Sequence, residues 1–132
     1  MTANNVLLVT IDGGTDVYEE GLEAIQSLKE GESVDRPARL TVPNEKVLGE
    51  IFNERTYALL RVIREEEPSS IRETADLVDR DKKNVHEELT RLEALGVIRF
   101  DDDGYAKRPV FPYDNLFILV SEANTSTHRG RG

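Results

Sequence analysis

The stretch Arg80-Asp81-Lys82-Lys83-Asn84-Val85-His86 gathers the side chains best suited to recognising a nucleic acid. Lys82 and Lys83 can contact phosphates or guanine edges. Asn84 can pair with adenine through two hydrogen bonds if it faces the major groove. His86 can reach a base or a phosphate, and so can Thr90 and Arg91 further along. The seven residues carry three cations, Arg80, Lys82 and Lys83, against Asp81, a net +2 in a chain of formal charge −9. In an arbitrary protein a Lys-Lys pair is most often a solvated helix face. What raises this pair above that reading is its place in the order of elements.

That order begins with a helix over Arg55 to Glu66, whose apolar stripe is Tyr57, Leu59, Leu60 and Ile63. Pro68-Ser69-Ser70 interrupts it. Ser70 and Glu73 have capping-box spacing and start a second helix with Ile71, Ala75 and Val78 inside. Asp79-Arg80-Asp81 is a tight polar break. Asp81 caps a third helix, lined on one side by Val85, Leu89, Leu92 and Leu95 and stopped by Gly96. Val97 to Phe100 then reads as a strand, Asp101 to Gly104 as a hairpin turn and Tyr105 to Val110 as the returning strand. Two helices, a short turn, a third helix and a two-stranded wing make a winged helix-turn-helix. In such a unit the third helix packs one side inward and offers the other to the major groove. Ser69 and Ser70, at the start of the second helix, are placed for a phosphate. The wing offers Arg99, Tyr105, Lys107 and Arg108, although three successive Asp residues make its turn a poor probe of the minor groove.

Upstream, Asn5 to Ile11 (NVLLVTI) reads as a strand stopped by Asp12-Gly13-Gly14. Thr15 caps a helix in which Tyr18, Leu22, Ile25 and Leu28 fall at helical spacing, and Gly31 ends it. Ala38 to Val42 is a second strand and Asn44 to Asn53 a short helix. The fold class expected is therefore α/β (α+β), a winged helix-turn-helix with an N-terminal β-α-β-α extension. The expected division is 1–53 for the extension, 54–120 for the DNA-binding domain, including a strand at Asn115 to Val120, and 121–132 for a disordered tail.

Composition narrows the class. There are 26 acidic and 17 basic residues, and no cysteine to form a disulfide or a thiolate metal site. No apolar run is long enough for a membrane span, and the N-terminus lacks the pattern of a signal peptide, so the expected location is cytoplasmic. No metal-ligand spacing or catalytic constellation occurs, so neither enzymatic activity nor a cofactor is expected. Asp12-Gly13-Gly14-Thr15 reads as a plain turn. Twelve Arg against five Lys, with abundant acid, suits the proteome of a salt-accumulating archaeon.

Several stretches together resemble the small winged-helix transcriptional regulators of haloarchaea, loosely MarR-like. They are Arg55 to Ile63, Pro68-Ser69-Ser70-Ile71, Arg80-Asp81, Asn84-Val85-His86, Leu92 to Ile98 and Pro109 to Asp114. The resemblance covers about Leu40 to Leu119. It implies a site-specific regulator of transcription that binds double-stranded DNA, and similar proteins beside toxin genes imply an antitoxin or autorepressor. Two-fold operators favour a homodimer, with the N-terminal region or Leu116 to Val120 as the interface. The N-terminal strand and helix can instead pack on the monomer's core or hold a small effector. The reading from another class is a winged-helix module that binds a protein, such as a cognate toxin.

Overall fold

The computed structural model describes residues 5–11, 19, 23, 38–102, 104 and 106–120. Among them are strands β1 (Val6–Ile11) and β2 (Ala38–Val42) and helices α1 (Glu45–Ile51), α2 (Glu54–Glu66), α3 (Ile71–Val78) and α4 (Lys82–Ala94). Strands β3 (Arg99–Asp102), β4 (Lys107–Val110) and β5 (Asn115–Leu119) follow. The mixed α+β class is as expected. The chain divides into two compact units, one of Met1–Leu48 with Tyr113–Gly132 and the other of Gly49–Pro112.

The first unit is built on β1. It pairs in parallel with β2, Leu7 opposite Ala38, and with β5, Val6 opposite Asn115. Val6, Leu7, Leu8, Val9 and Thr10 are at most 2% exposed, so both faces of the strand are covered. A strand buried on both faces needs an unbroken apolar run, which NVLLVTI supplies. The exception, Thr10, has its hydroxyl 3.3 Å from that of Thr41, its register partner. Phe117 and Leu119 pack against Val6 and Leu8. The Asn5 carbonyl accepts from the backbone N–H groups of Asp114 and Asn115 at 2.8 and 3.3 Å, locking the entry of β1 to that of β5.

Parallel neighbours need a long crossover. Residues 12–37 connect β1 to β2. The helix expected there and its Asp12 to Thr15 turn lie outside the described residues, except that Glu19 and Glu23 are helical and exposed. Residues 43–114 connect β2 to β5, so the whole helical unit is inserted between two strands of one sheet. This differs from the division at residue 120. The strand at 115–119 belongs with the N-terminal sheet, because β1 is apolar on both sides and β2 covers only one of its edges. The expected tail, 121–132, lies outside the described residues.

The helical unit follows local signals. Asn53 caps α2 by accepting from the N–H groups of Arg55 and Thr56 at 3.0 and 3.2 Å. The buried stripe of α2 is Thr56, Leu59, Leu60 and Ile63, at spacing i, i+3, i+4, i+7. Tyr57, expected in that stripe, is 38% exposed and stacks on Phe52. Thr56 can replace it inside because its hydroxyl has acceptors there. Gly96, at φ +85°, closes α4 in a Schellman motif: Val97 N–H reaches the Leu92 carbonyl at 2.9 Å and Gly96 N–H that of Glu93 at 3.0 Å. Val97 and Leu92, which the motif brings together, are fully buried, whereas Leu95 is only half-buried. β3 and β4 form an antiparallel hairpin with Phe100 opposite Pro109 and Asp101 opposite Arg108.

The turn between α3 and α4 closes the same way. Arg80 N–H reaches the Ala75 carbonyl and Asp79 N–H that of Asp76, at 3.0 and 3.1 Å. Here the left-handed position is held by Asp79, at φ +57°, where glycine is favoured. Asp79→Gly removes the strain of a side chain in that region, while adding freedom to the unfolded chain. A net stabilisation of about 0.5 kcal/mol is expected, on the scale of such substitutions. Denaturant midpoints at fixed KCl measure it, and a clear loss of stability refutes it.

Candidate nucleic-acid interface

Val85, Leu89 and Leu92 are fully buried and fix which side of α4 faces inward. At 100° per residue the opposite side centres on Lys83, Glu87 and Thr90. Lys82 and His86 lie on one flank of it, Asn84 and Arg91 on the other. All seven are exposed. The side chains of Lys82, Lys83, Asn84, His86 and Thr90 have no hydrogen bond or ion pair among the described residues. Asp81 caps the helix by accepting from Asn84 N–H at 3.2 Å. The structure therefore brings the expected groove-facing residues onto one accessible surface. It also sets a carboxylate, Glu87, near the middle of it, where it can accept from a cytosine amino group but opposes a phosphate.

Arg80 is corrected by the structure. Its side chain is only 23% exposed, and Nη2 lies 2.6 Å from Oε1 of Glu88, which is 12% exposed. Its Nη1 is buried with no acceptor. Arg80 is thus committed to the helix behind it, because the Schellman turn directs it back along α4. The partner carboxylate also lies 3.3 Å from the Thr56 hydroxyl, which donates to the Ile51 carbonyl at the end of α1. Arg91, though exposed, donates from Nη2 to the Glu50 carbonyl at 2.8 Å.

Ser69 and Ser70 are spent on the cap of α3. Ser70 Oγ accepts from Glu73 N–H at 3.0 Å. The Glu73 carboxylate returns to Ser69, taking its N–H at 2.9 Å and its hydroxyl at 2.8 Å, one residue earlier than a standard capping box. A phosphate at this end of α3 would meet the Glu73 carboxylate. The hydrogen bond from the Ser69 backbone, and then that from its hydroxyl, holds the Glu73 pKa below its ordinary value.

In the hairpin, Asp101 ties both arginines. Arg99 Nε donates to its Oδ1 at 3.0 Å and Arg108 Nη2 to its Oδ2 at 3.1 Å. The hydrogen bond from Arg99 lowers the Asp101 pKa against the desolvation that raises it, and the charges of Arg99 and Arg108 add to the lowering. Lys107 Nζ lies over the Phe100 ring, 5.8 Å from its centroid. Asp102 accepts from Gly104 N–H at 2.9 Å, shaping the turn. Tyr105 and Asp103 lie outside the described residues. Glu88, absent from the candidate residues of the sequence, proves central to the geometry. Glu88 falls at the edge of the inward stripe of α4, which was the available signal.

Helices α3 and α4 are joined by the three residues 79–81, and α4 is followed by a short antiparallel hairpin. The family model HVO_A0114 matches residues 51–118, more than half of the chain, and the protein belongs to that haloarchaeal family. Comparison with curated proteins and with solved structures finds no match. Among the described residues no helix is long and apolar enough to cross a membrane, and no group of three or more His, Asp or Glu side chains could hold a metal ion.

Two outcomes follow from these contacts. Glu88→Gln leaves the half-buried Arg80 without its counter-charge and is expected to destabilise by about 1–3 kcal/mol, the cost of an unmatched buried group. Lys83→Ala should stay within about 0.5 kcal/mol, as exposed sites do. Equal stabilities for the two variants in chemical denaturation would refute the assignment. The lowered pKa values of Glu73 and Asp101 favour the folded state above the ordinary carboxylate values, 4.5 and 3.8. That contribution is lost as pH falls through the lower, folded-state values. Asp101→Asn should therefore flatten the acid limb of stability against pH while leaving its slope near neutrality unchanged.

Proposed function

We propose that this protein is a sequence-specific double-stranded DNA-binding regulator of transcription, acting as a homodimer with α4 in the major groove. The observation that supports this reading is the exposed set Lys82, Lys83, Asn84, His86 and Thr90, whose side chains have no partner among the described residues, on a helix whose inward side is locked. Lys82 and Lys83 serve the phosphates and Asn84 reads an adenine edge. Arg99 and Arg108 join the DNA only by exchanging Asp101 for a phosphate, so the hairpin is a secondary contact. A dimer would place two copies of α4 on a palindromic site.

The acidic body shapes how binding depends on salt. Cations have to gather where carboxylates such as Glu87 approach the DNA. Their uptake offsets the counterions released from phosphates, so affinity should fall less steeply with KCl than counterion release alone requires. A second reading, a protein-binding module that serves as an antitoxin, is favoured by two observations: the carboxylate of Glu87 in the middle of the α4 face and the neutralisation of the hairpin arginines by Asp101.

Binding to the gene's own promoter, and to genomic fragments, across a wide KCl range separates the two. The double variant Lys82→Glu/Lys83→Glu should lose affinity for all sequences alike. Asn84→Ala should cost about 1–3 kcal/mol on the preferred site alone, the value of one base pair read by two hydrogen bonds. Wild-type protein that binds no fragment at any KCl concentration leaves the interaction module as the better reading.

A further inference from the structure

Within the helical unit, Arg55, Arg80, Asn84, Glu87, Glu88 and Arg91 line a cleft of about 500 Å³. This volume lies within the roughly 300–1,000 Å³ typical of small-molecule sites. Its charges are unevenly matched. Arg80 and Glu88 neutralise each other at 2.6 Å. Arg55 and Arg91 then face Glu87 alone, a balance of two cations to one anion on an acidic chain. The Arg91 guanidinium is oriented by its bond to the Glu50 carbonyl, a neutral acceptor that leaves its charge uncompensated. Arg55 stands at the start of α2, held there by the Asn53 cap, and its side chain has no hydrogen bond or ion pair among the described residues. The Asn84 amide also has no hydrogen-bond partner among the described residues. The walls therefore hold more donors than the protein satisfies.

We propose that this cleft binds a phosphate group, with Arg55 and Arg91 as its charged ligands and Asn84 as a neutral donor when no base edge occupies its amide. Two guanidinium forks on separate helices, α2 and α4, can grip different oxygens of a tetrahedral anion, whereas a planar carboxylate is filled by one fork. The phosphate belongs either to a phosphorylated small molecule or to a DNA strand lying along α4. The site stands on its own chemistry, whether or not the protein binds DNA.

The test is an amide-resolved NMR titration of the full chain with potassium phosphate, and then with adenosine monophosphate, each against KCl at equal ionic strength. Saturable shifts at Arg55, Asn84 and Arg91 are expected, with affinity reduced about tenfold in Arg55→Ala, the loss of one charge-assisted contact. The Arg55 side chain has no partner among the described residues, so an unchanged melting temperature certifies the variant. Asn84→Ala gives a second, milder loss. The source is then read from duplex binding. If Arg55→Ala lowers the salt slope by about 1, a backbone phosphate occupies the cleft. If the slope is unchanged while the small-molecule response persists, the ligand is a free phosphorylated compound. A phosphate response without any DNA binding sinks the DNA reading and leaves this one standing. Absence of a saturable response in the wild type, together with an unchanged slope in Arg55→Ala, overturns the proposal, as does an equal phosphate response in Arg55→Ala.

Discussion

The carboxylate of Glu88 is the point on which the helical unit turns. It takes Arg80 from the turn on one oxygen and lies beside the Thr56 hydroxyl of α2 with the other. Thr56 in turn donates to the last carbonyl of α1. One side chain of α4 is thereby linked to the turn before it and to two other helices. An ion pair this dry adds little net stability, because desolvating two charges cancels much of their attraction. What it supplies is direction. An apolar contact between α4 and α2 would tolerate rotation about the helix axis, but a charge with one partner does not. The Arg91 bond to the Glu50 carbonyl fixes the same rotation three residues further along.

That fixed rotation decides which side chains meet solvent, and so which could meet DNA. It sends Lys82, Lys83 and Thr90 outward, and it also sends Glu87 there. The basic charge of the outward side is modest and sits on a body of −9. Asp101 works in the same sense by occupying the two arginines of the hairpin. Outside α4, Arg64, Arg80, Arg99, Lys107 and Arg108 are engaged by a carboxylate or an aromatic ring, whereas Arg55, Arg61 and Arg72 have no partner among the described residues. Long-range attraction to nucleic acid is correspondingly weak, and short-range fit on α4 has to carry any selectivity.

Local elements of this fold were legible in the sequence because their causes are local. Ser70, Asp81 and Gly96 act within a few residues of themselves, and helices begin or end where those residues stand, whereas Asn53, read as the end of the short helix, instead caps α2. The faces of the helices were legible as far as apolar residues mark them. Thr56 was missed because a polar residue in the stripe looks like an interruption until its acceptors are known. Arg80 was misread for the complementary reason: a basic residue beside Lys82 and Lys83 looks like part of one patch. Only the Schellman turn turns it inward toward Glu88. The same limit applies to Ser69, Arg99 and Arg108, whose partners are acids that sequence order alone does not select.

The placement of β5 depended on a constraint that no local signal carries. A lone apolar strand leaves a row of N–H and C=O groups to be satisfied, and it needs a neighbour. The nearest strands in sequence, β3 and β4, already pair with each other. β1, more than a hundred residues upstream of β5, has the complementary need. It is buried on both faces and β2 covers one edge only. Mutual need therefore joins the ends of the chain and makes the helical unit an insertion between strands. The family match at 51–118 contains β5 up to Ile118 but none of β1. The residues ahead of the matched stretch are consequently part of what makes it foldable. A fragment confined to that stretch would expose the edge of β5 and the apolar side chain of Phe117 that otherwise lies against Val6 and Leu8.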